Sequence, residues 1–343
     1  MIRVAIIGYG MSARTFHLPF VSRHPAYRLT GIVSRQPALD LSPYPHARRY
    51  PDTDALLAAD DCDLVIITTP NTLHYPQARQ CLEAGKHVVL EKPMTITLAE
   101  AEALVALAAR QQRHLSVYHN CRLNGDFLTV KKLLADKRLG QLRTCRVHWD
   151  RFRPVVRDRW RENAGPGSGI WYDLGPHMID QALLLFGLPA AVSAHIRALR
   201  PGSASDDYAH VQLHYPEHEV ILHTAPYGCA PTPRFILEGD GGNYRKYGLD
   251  PQEAQLKSGM VPYDPAFGIE DPAQYGILYL PDGSQETVAT ERSRFIDYYD
   301  NLAAAIRGEA PLAVRPEEAL AVMRVLLLAH DSARQGKTLA LPA

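Results

Sequence analysis

The chain begins Met1-Ile2-Arg3-Val4-Ala5-Ile6-Ile7-Gly8-Tyr9-Gly10-Met11-Ser12-Ala13-Arg14-Thr15-Phe16, and this stretch decides the fold. Its apolar, β-branched start is typical of a buried parallel strand. The next residues form G-x-G-x-x-A, a variant of the dinucleotide fingerprint in which the first glycine allows a tight turn and the second admits a pyrophosphate. A plain strand-turn-helix is the competing interpretation. The predicted dinucleotide-binding residues of this turn are Gly8, Tyr9, Gly10, Met11, Ser12 and Ala13.

The helix that follows this turn contains a proline. Pro19 lies where the helix should already be running, and a proline in a helix interior costs roughly 3 kcal/mol. A proline is tolerated in a first helical turn because its missing N–H would have no partner there. We therefore expect a short first turn, a break near residues 15–17, and a second helical segment with Pro19 near its start.

Length and composition describe an ordinary globular protein with two domains. At 343 residues the chain exceeds the usual size of one domain, and 46% hydrophobic residues are enough for a large core. Lys and Arg equal Asp and Glu in number, so net charge favours neither nucleic acid nor a membrane surface as a partner. The five cysteines lack metal-ligand spacing, which predicts reduced thiols, no metal site and a cytoplasmic location. No leader segment or membrane span is expected.

Apolar strands and helices alternate along the first third of the chain. The predicted strands lie at 2–7, 27–33, 62–69, 87–90 and 115–118, with loop-like residues at 36–51. Such alternation predicts a doubly wound parallel sheet, so residues 1–120 are interpreted as a Rossmann NAD(P)-binding domain.

The pattern changes after residue 120. A helix at about 126–136 precedes a long predicted strand over 142–153. Further strands are predicted at about 190–199, 207–215, 218–226, 233–239 and 274–281. This order predicts that residues 121–343 form a second, α/β domain with a mostly antiparallel sheet that helices cover on one face. The closing helices, within about 291–335, are expected to pack back on the first domain.

The end of the second strand indicates which dinucleotide is bound. NAD-binding folds carry an Asp or Glu here that accepts hydrogen bonds from the ribose hydroxyls. This chain has Ser34-Arg35 instead, and a guanidinium can hold a 2′-phosphate that a carboxylate would repel. We therefore expect NADP, with NAD as the alternative. The competing interpretation is that Arg35 is a solvated loop charge.

Polar residues cluster after three other predicted strands. Ligands of doubly wound sheets bind at the carboxyl ends of the strands. Turn preference alone would explain each cluster, but together they predict one edge of a binding site. The further predicted cofactor-binding residues are Thr68, Thr69, Pro70, Asn71, His74, Glu91, Lys92 and Asn120, and Tyr118 is a predicted substrate contact.

A second candidate cluster lies in residues 167–180. Asp173 and His177 are four residues apart, so on a helix they share a face. Pro176 is tolerated best in a first helical turn, which places Asp173 near the helix start, where it could simply be the cap. The functional interpretation is an acid–base histidine held beside a carboxylate.

Gly8-x-Gly10-x-x-Ala13, Glu91-Lys92-Pro93 and Asp173-x-x-x-His177, in this order, resemble the Gfo/Idh/MocA oxidoreductases over essentially the whole chain. The resemblance is strongest to NADP-dependent inositol dehydrogenase-like members. It implies a Rossmann domain and, over residues 121–343, an α/β domain for substrate binding and oligomerisation, whose open-faced sheet forms a homodimer or homotetramer contact. It also implies that Lys92, Asp173 and His177 carry hydride-transfer chemistry.

An arginine-rich segment at 151–161 precedes the second cluster. It could line a pocket for a hydroxyl-rich or anionic substrate, with Trp160 as an apolar wall for a sugar ring, or it could consist of structural ion pairs. Its predicted substrate contacts are Arg153 and Trp160, together with Tyr172 from the neighbouring cluster.

The sequence thus predicts hydride transfer between a nicotinamide and a secondary alcohol or ketone of a polyol or sugar. Two alternatives stay open, a dinucleotide-binding regulator without turnover and an NAD-dependent glycosidase on the same fold.

Overall fold

The computed structural model describes residues 1–36 and 39–342. Residues 37 and 38 belong to the predicted loop over 36–51, and that part of the prediction, like residue 343, lies outside the described residues. The chain separates into two compact units, each built from three stretches. The first unit comprises Met1–Asn120, Gln252–Phe267 and Arg294–Leu320, and the second comprises Cys121–Pro251, Gly268–Ser293 and Ala321–Ala343.

The first unit contains a parallel sheet. Within the described residues its strands are β1 (Ile2–Ile7), β2 (Tyr27–Val33), β3 (Arg48–Tyr50), β4 (Leu64–Ile67), β5 (His87–Leu90) and β6 (Leu115–Val117). They lie in the order β3-β2-β1-β4-β5-β6, and the pairings are all parallel. This is the doubly wound order, in which the topological switch falls between β1 and β4. The predicted Rossmann fold is confirmed.

Helices cover this sheet. They are α1 (Leu18–Val21), α2 (Thr53–Ala59), α3 (His74–Glu83) and α4 (Leu98–Gln111), with α7 (Gln252–Lys257) and α8 (Ile296–Ile306) contributed by the later stretches of the unit. Thr97 caps α4 in a reciprocal capping box with Glu100. Instead of the break expected near residues 15–17, the backbone stays helical through a π-helical turn at Ala13–His17. Pro19 lies in the first turn of α1, as predicted.

The second unit is organised around a second sheet. Its described strands are β7 (Leu142–His148), β8 (Ala191–Arg197), β9 (Tyr208–His214), β10 (Glu219–Thr224), β11 (Phe235–Gly239), β12 (Gly242–Lys246), β13 (Gly276–Tyr279), β14 (Gln285–Val288) and β15 (Leu339–Ala340). Its helices are α5 (Gly125–Ala135), α6 (Ile170–Phe186) and most of α9 (Pro316–Gln335). Neighbouring strands are antiparallel except for β7 with β10, so the predicted mostly antiparallel sheet is confirmed.

The two faces of this second sheet differ. Buried and half-buried residues alternate along β7, β9 and β10, because one face packs against the core and the other is partly open. Among the described residues, no helix combines the length and the apolar character needed to cross a bilayer.

Several boundaries in the second unit differ from the sequence prediction. The strand expected over 142–153 ends at His148, because from Trp149 onward the backbone bonds along residues 223–226 instead of continuing its ladder with β11. Three strands, β12, β14 and β15, and the helix α7 were not predicted. Their sequences lack apolar periodicity, and pairing with neighbours fixes the strands.

The start of α6 contradicts one prediction. Pro176 lies inside this helix rather than in its first turn, and Asp173 is not the cap. Asp206 performs that role from another segment: its carbonyl accepts from Ile170 N and its Oδ2 from Trp171 N, both at 2.8 Å. Gly169 precedes the helix with φ of 98°, and a Cβ there would lie 2.0 Å from Asp206 Oδ1. Both the backbone conformation and the close approach of Asp206 therefore require glycine.

The two glycines that flank α6 allow a matched test of this contact. Gly187, at the other end of the helix, also has a positive φ, but its Cβ would meet nothing within 4 Å. Gly187→Ala should cost roughly 1–3 kcal/mol of backbone strain, and Gly169→Ala should cost a further ~1–3 kcal/mol because it displaces Asp206. Urea unfolding midpoints measure the difference. Equal midpoints would show that Asp206 does not hold the start of α6.

Candidate active site

The carboxyl ends of the first sheet bring the sequence-predicted clusters together. Gly8, Thr68, Glu91 and Tyr118 each donate a backbone N–H to the last residue of a neighbouring strand, at 2.8–3.0 Å. These four residues therefore stand side by side along one edge of the sheet. This is the edge at which doubly wound sheets bind their ligands.

The glycine turn has the shape that a dinucleotide requires. Gly8 has φ of 101°, and a Cβ there would lie 2.7 Å from the Thr68 hydroxyl, which donates to the Ile7 carbonyl. At Gly10, by contrast, a Cβ would meet nothing within 4 Å, so the backbone borders open space. Ala13 is fully buried at the start of the π-helical turn. The open backbone at Gly10 and the following helix N-terminus fit a bound pyrophosphate.

Glu91 connects the glycine turn to the end of β5. Its Oε1 accepts from the Ser12 hydroxyl and lies 3.1 Å from His17 Nε2, and its Oε2 accepts from the backbone N–H of Lys92 at 3.2 Å. Burial alone would raise the pKa of this carboxyl, but the His17 hydrogen bond and charge, the Lys92 charge and the Ser12 hydrogen bond hold it at about 2. Glu91 is therefore an ionised carboxylate that fixes the two loops beside each other.

Aromatic residues hold His17 in place from the other side. The Tyr299 hydroxyl lies 3.0 Å from His17 Nδ1 and donates to the Phe16 carbonyl at 2.6 Å. Tyr118, a predicted substrate contact, is only 1% exposed; its ring lies 4.5 Å from the His17 ring, and its hydroxyl also donates to Phe16. This placement favours a packing role for Tyr118.

The loop after β4 is cross-linked to the loop after β5. The buried His74 ring lies 3.0 Å from the Thr69 carbonyl and 2.9 Å from the Pro93 carbonyl, and burial lowers the pKa of His74. The Thr69 hydroxyl donates to Gln77 at 2.6 Å. The His74 ring therefore lies between the two loops, within hydrogen-bond distance of a carbonyl of each. Lys92 is half-buried on the second of these loops, and its bond to Pro93 is cis.

The remaining predicted cofactor residues lie on the same unit. Ser34 is buried; its carbonyl accepts from Arg49 at 3.0 Å and its hydroxyl accepts from the Gln36 N–H at 3.2 Å. Arg35 beside it is exposed. Of the other predicted positions, Tyr9 is half-buried, Met11 and Pro70 are exposed, and Asn71 and Asn120 are buried.

The second predicted cluster lies on α6 in the second unit. Asp173 Oδ1 is 3.4 Å from Arg161 Nε, and the carboxylate keeps 17% of its side chain exposed. His177, one turn further along, is buried, and its ring lies 5.6 Å from the Trp149 ring. The helix thus presents a paired carboxylate and a histidine packed on an indole.

The arginine-rich segment is organised by one carboxylate. Glu162 Oε1 accepts from Arg157 and Arg159, and its Oε2 accepts from Arg200 at 2.9 Å. Although burial raises it, the hydrogen bonds from Arg157, Arg159 and Arg200 bring the pKa of Glu162 down to about 2. Three arginines are therefore held by structural ion pairs, which supports that interpretation for part of the segment.

The three other predicted substrate contacts differ in exposure. Trp160 is 37% exposed, with the Arg161 guanidinium 4.5 Å above its ring. Tyr172 is half-buried and stacks on His330 at 5.0 Å. Arg153 is half-buried among the arginines. Trp160 and Arg153 therefore keep some surface for a ligand, while Tyr172 is partly occupied by packing.

Sequence reasoning missed the residues that support these sites. His17, Trp149, Glu162 and Asp206 were not proposed as site residues. His17 and Trp149 contact the predicted residues Glu91 and His177. Glu162 pairs with the arginine-rich segment, and Asp206 holds the first turn of the helix that carries Asp173 and His177. Of these only His17 had a local signal, because it lies at the helix break that Pro19 predicts.

Comparison with known proteins defines the class of protein. Residues 2–119 match the family described as "Oxidoreductase family, NAD-binding Rossmann fold", and residues 131–341 match its C-terminal alpha/beta domain. The chain belongs to the Gfo/Idh/MocA oxidoreductase family and is an NAD(P)-dependent dehydrogenase. The resemblance read from the sequence is thereby confirmed.

Individual relatives match along the full length. The uncharacterized oxidoreductase YdgJ of Escherichia coli is 43% identical over 99% of both chains. The scyllo-inositol 2-dehydrogenase (NADP(+)) IolW of Bacillus subtilis is 38% identical over 99% of this chain and 96% of its own. The crystal structure of Bacillus subtilis yvaA superposes with a TM-score of 0.96 at 38% identity, covering 99% of this chain and 98% of that one.

The Glu91 network predicts a specific dependence of stability on pH. The folded pKa of about 2 lies below the ordinary value of 4.5, so the contribution of Glu91 is fully present above pH 4.5 and is lost as the pH falls towards 2. Glu91→Gln should therefore lower the free energy of unfolding at pH 7 by on the order of 2–3 kcal/mol. The difference between variant and wild type should shrink between pH 4.5 and 2.

Urea unfolding across this pH range measures the effect. Glu83→Gln is the matched control, because Glu83 forms an exposed pair with Arg79 on α3 and should change stability by less than ~1 kcal/mol. A pH-independent difference for Glu91→Gln would contradict the assignment of Glu91 as the ionised link.

Proposed function

We propose that the protein is an NADP-dependent dehydrogenase that acts on a secondary alcohol of a polyol or sugar, of the inositol type. The observation that carries the proposal is the sheet edge where the open backbone at Gly10 and the Glu91-Lys92 loop stand together. The full-length similarity to IolW, named for its action on scyllo-inositol with NADP⁺, supports the substrate class.

The proposed roles follow from the chemistry of the side chains. The nicotinamide, when bound, accepts or gives the hydride. His177 takes the hydroxyl proton of the substrate as general base, and Asp173 orients His177 or a neighbouring substrate hydroxyl. Lys92 donates a hydrogen bond to the same substrate oxygen and stabilises developing alkoxide charge. No metal is required for these steps, because side chains handle both the charge and the proton.

The preference for NADP over NAD is proposed from the end of β2. Arg35 is exposed, so its guanidinium is accessible to a 2′-phosphate, and the buried Ser34 beside it carries no charge that would repel one. Arg49 holds the Ser34 carbonyl and adds positive charge nearby.

The oligomeric state and the cellular compartment of the protein are also proposed. The half-exposed face of the second sheet, along β7, β9 and β10, is the proposed contact of a homodimer or homotetramer. The described cysteines are free thiols, which supports the cytoplasm as the compartment.

Two other functions are tested by the same assay. A regulator would bind the dinucleotide without net turnover, and an NAD-dependent glycosidase would release sugar without accumulating reduced nicotinamide. Purified protein is mixed with NADP⁺ or NAD⁺ and a panel of inositols, sugars and sugar acids, and reduced nicotinamide is followed. Accumulation of NADPH with a polyol or sugar supports the proposed substrate class, and no accumulation with the whole panel refutes it.

The catalytic roles predict a non-additive loss of activity. Lys92→Ala and His177→Ala should each lower kcat by roughly 10²–10⁴-fold, as expected for removal of an acid–base or charge-stabilising group. If both act on one substrate oxygen, the double variant should lose less than the product of the single losses. Lys131→Ala, an exposed lysine on α5, is the control. Near-wild-type turnover in either single variant would contradict the proposed roles of Lys92 and His177.

The proposed role of Arg35 predicts that its substitution changes the preference for NADP⁺ over NAD⁺. Arg35→Gln should lower the ratio of kcat/KM for NADP⁺ to that for NAD⁺ by roughly 10–100-fold, the loss expected for a charge-assisted hydrogen bond to phosphate. Arg28→Gln, an exposed arginine on β2, is the matched control and should keep the ratio. A wild-type preference for NAD⁺ would contradict the proposal directly.

A further inference from the structure

The second unit encloses a cavity with an unusual lining. Its volume is about 440 Å³, including the open space at its mouth, and it reaches from the arginine-rich segment to the start of α6. Six arginines line it: Arg151, Arg153, Arg157, Arg159, Arg161 and Arg200.

The positive charge of this lining exceeds its negative charge. Four carboxylates face the six guanidinium groups, namely those of Glu162, Asp173, Asp206 and Asp207. Glu162 forms ion pairs with Arg157, Arg159 and Arg200. Asp207 also pairs with Arg200, and Asp173 pairs with Arg161. Asp206 is committed to the first N–H groups of α6. Two positive charges therefore exceed the carboxylates when all groups are ionised.

Arg153 carries part of this excess positive charge. Within the described residues, no ion pair joins its guanidinium to a carboxylate, although its backbone is fixed by hydrogen bonds to Pro226 and Arg200. Burial, followed by the charges of Arg151, Arg157 and Arg159, lowers the pKa of Arg153 to about 10. A half-buried cation with three arginines near it and no carboxylate paired to it is stabilised when an anion binds beside it.

We propose that this cavity binds an anionic group of the substrate, a carboxylate or a phosphate ester, through the Arg153 guanidinium. The inference rests on the proposed function, because Asp173 lines the same cavity and is one of the residues assigned to the reaction. It narrows the substrate from a polyol or sugar to an acidic or phosphorylated one.

Geometry and charge both favour an anion over a neutral hydroxyl. A guanidinium presents a planar fork that pairs with two oxygens of a carboxylate or phosphate. A hydroxyl can accept one of these hydrogen bonds, but it does not offset the excess charge of the lining. A concave cavity also selects a small ligand over a flat or extended polyanion.

Anion binding is tested first without turnover. The full chain is saturated with NADP⁺, so that the nucleotide site is filled, and is titrated calorimetrically with sodium sulfate at constant ionic strength. Wild type should bind sulfate saturably, and Arg153→Gln should weaken binding by roughly 10–100-fold. Arg153→Lys, which keeps the charge but loses the fork, should fall between them. Arg110→Gln, an exposed arginine on α4, should bind like wild type.

The substrate is tested next with matched compounds. The kcat/KM values of a hexose, the corresponding hexuronate and the hexose phosphate are compared, and sulfate is tested as a competitive inhibitor. Wild type should prefer one of the charged compounds, which separates carboxylate from phosphate. Arg153→Gln should lower the charged-to-neutral ratio of kcat/KM by roughly 10–100-fold, mainly through KM.

The outcomes separate this inference from the proposed function. Absence of saturable sulfate binding, or equal binding by wild type and Arg153→Gln, overturns the anion site even if neutral polyols are oxidised. Sulfate binding that depends on Arg153, without turnover of any compound, supports the anion site and refutes the proposed polyol or sugar substrate.

Discussion

One buried carboxylate determines how the first unit presents its binding edge. Glu91 joins Ser12 in the glycine turn, His17 in the π-helical turn and the backbone of Lys92. A charged oxygen in a buried place is stable only while its donors surround it, so these segments must stay in register with one another. The π-helical turn at Ala13–His17 is part of this arrangement, because it brings the His17 ring to the Glu91 carboxylate.

Carboxylates that accept several hydrogen bonds also fix segments of the second unit. Glu162 binds three arginines and orders the segment before α6, while Asp206 supplies the hydrogen-bond acceptors at the first turn of that helix. Burial, the largest influence, raises the pKa of Asp206 to about 6, since the N–H groups it accepts from only partly compensate. The helix that carries Asp173 and His177 is thus positioned by carboxylates that themselves take no part in the proposed chemistry.

The sequence predicted most of the first unit because its signals are local. The strands β2 and β5 are apolar runs bounded by turn residues, and their ends match the prediction. In the second unit, Gly242–Lys246 has no such run and is a strand only because β11 and β13 flank it. Local sequence patterns could not predict the contacts that support the site, because the paired residues are far apart in the chain. Ser12 and Glu91 are 79 residues apart, and Trp171 and Asp206 are 35 apart. Residue types indicated the chemistry, and long-range pairing fixed the positions.

The discontinuous chain of the first unit has a consequence for synthesis. The Tyr299 hydroxyl contacts His17, and the Tyr298 hydroxyl donates to the Ser116 hydroxyl. Both tyrosines belong to the first unit but lie almost two hundred residues after β6, the last strand of its sheet. During translation the first 120 residues therefore emerge with part of their core missing. The apolar surface that α8 covers in the folded chain therefore stays exposed until that helix has been synthesised.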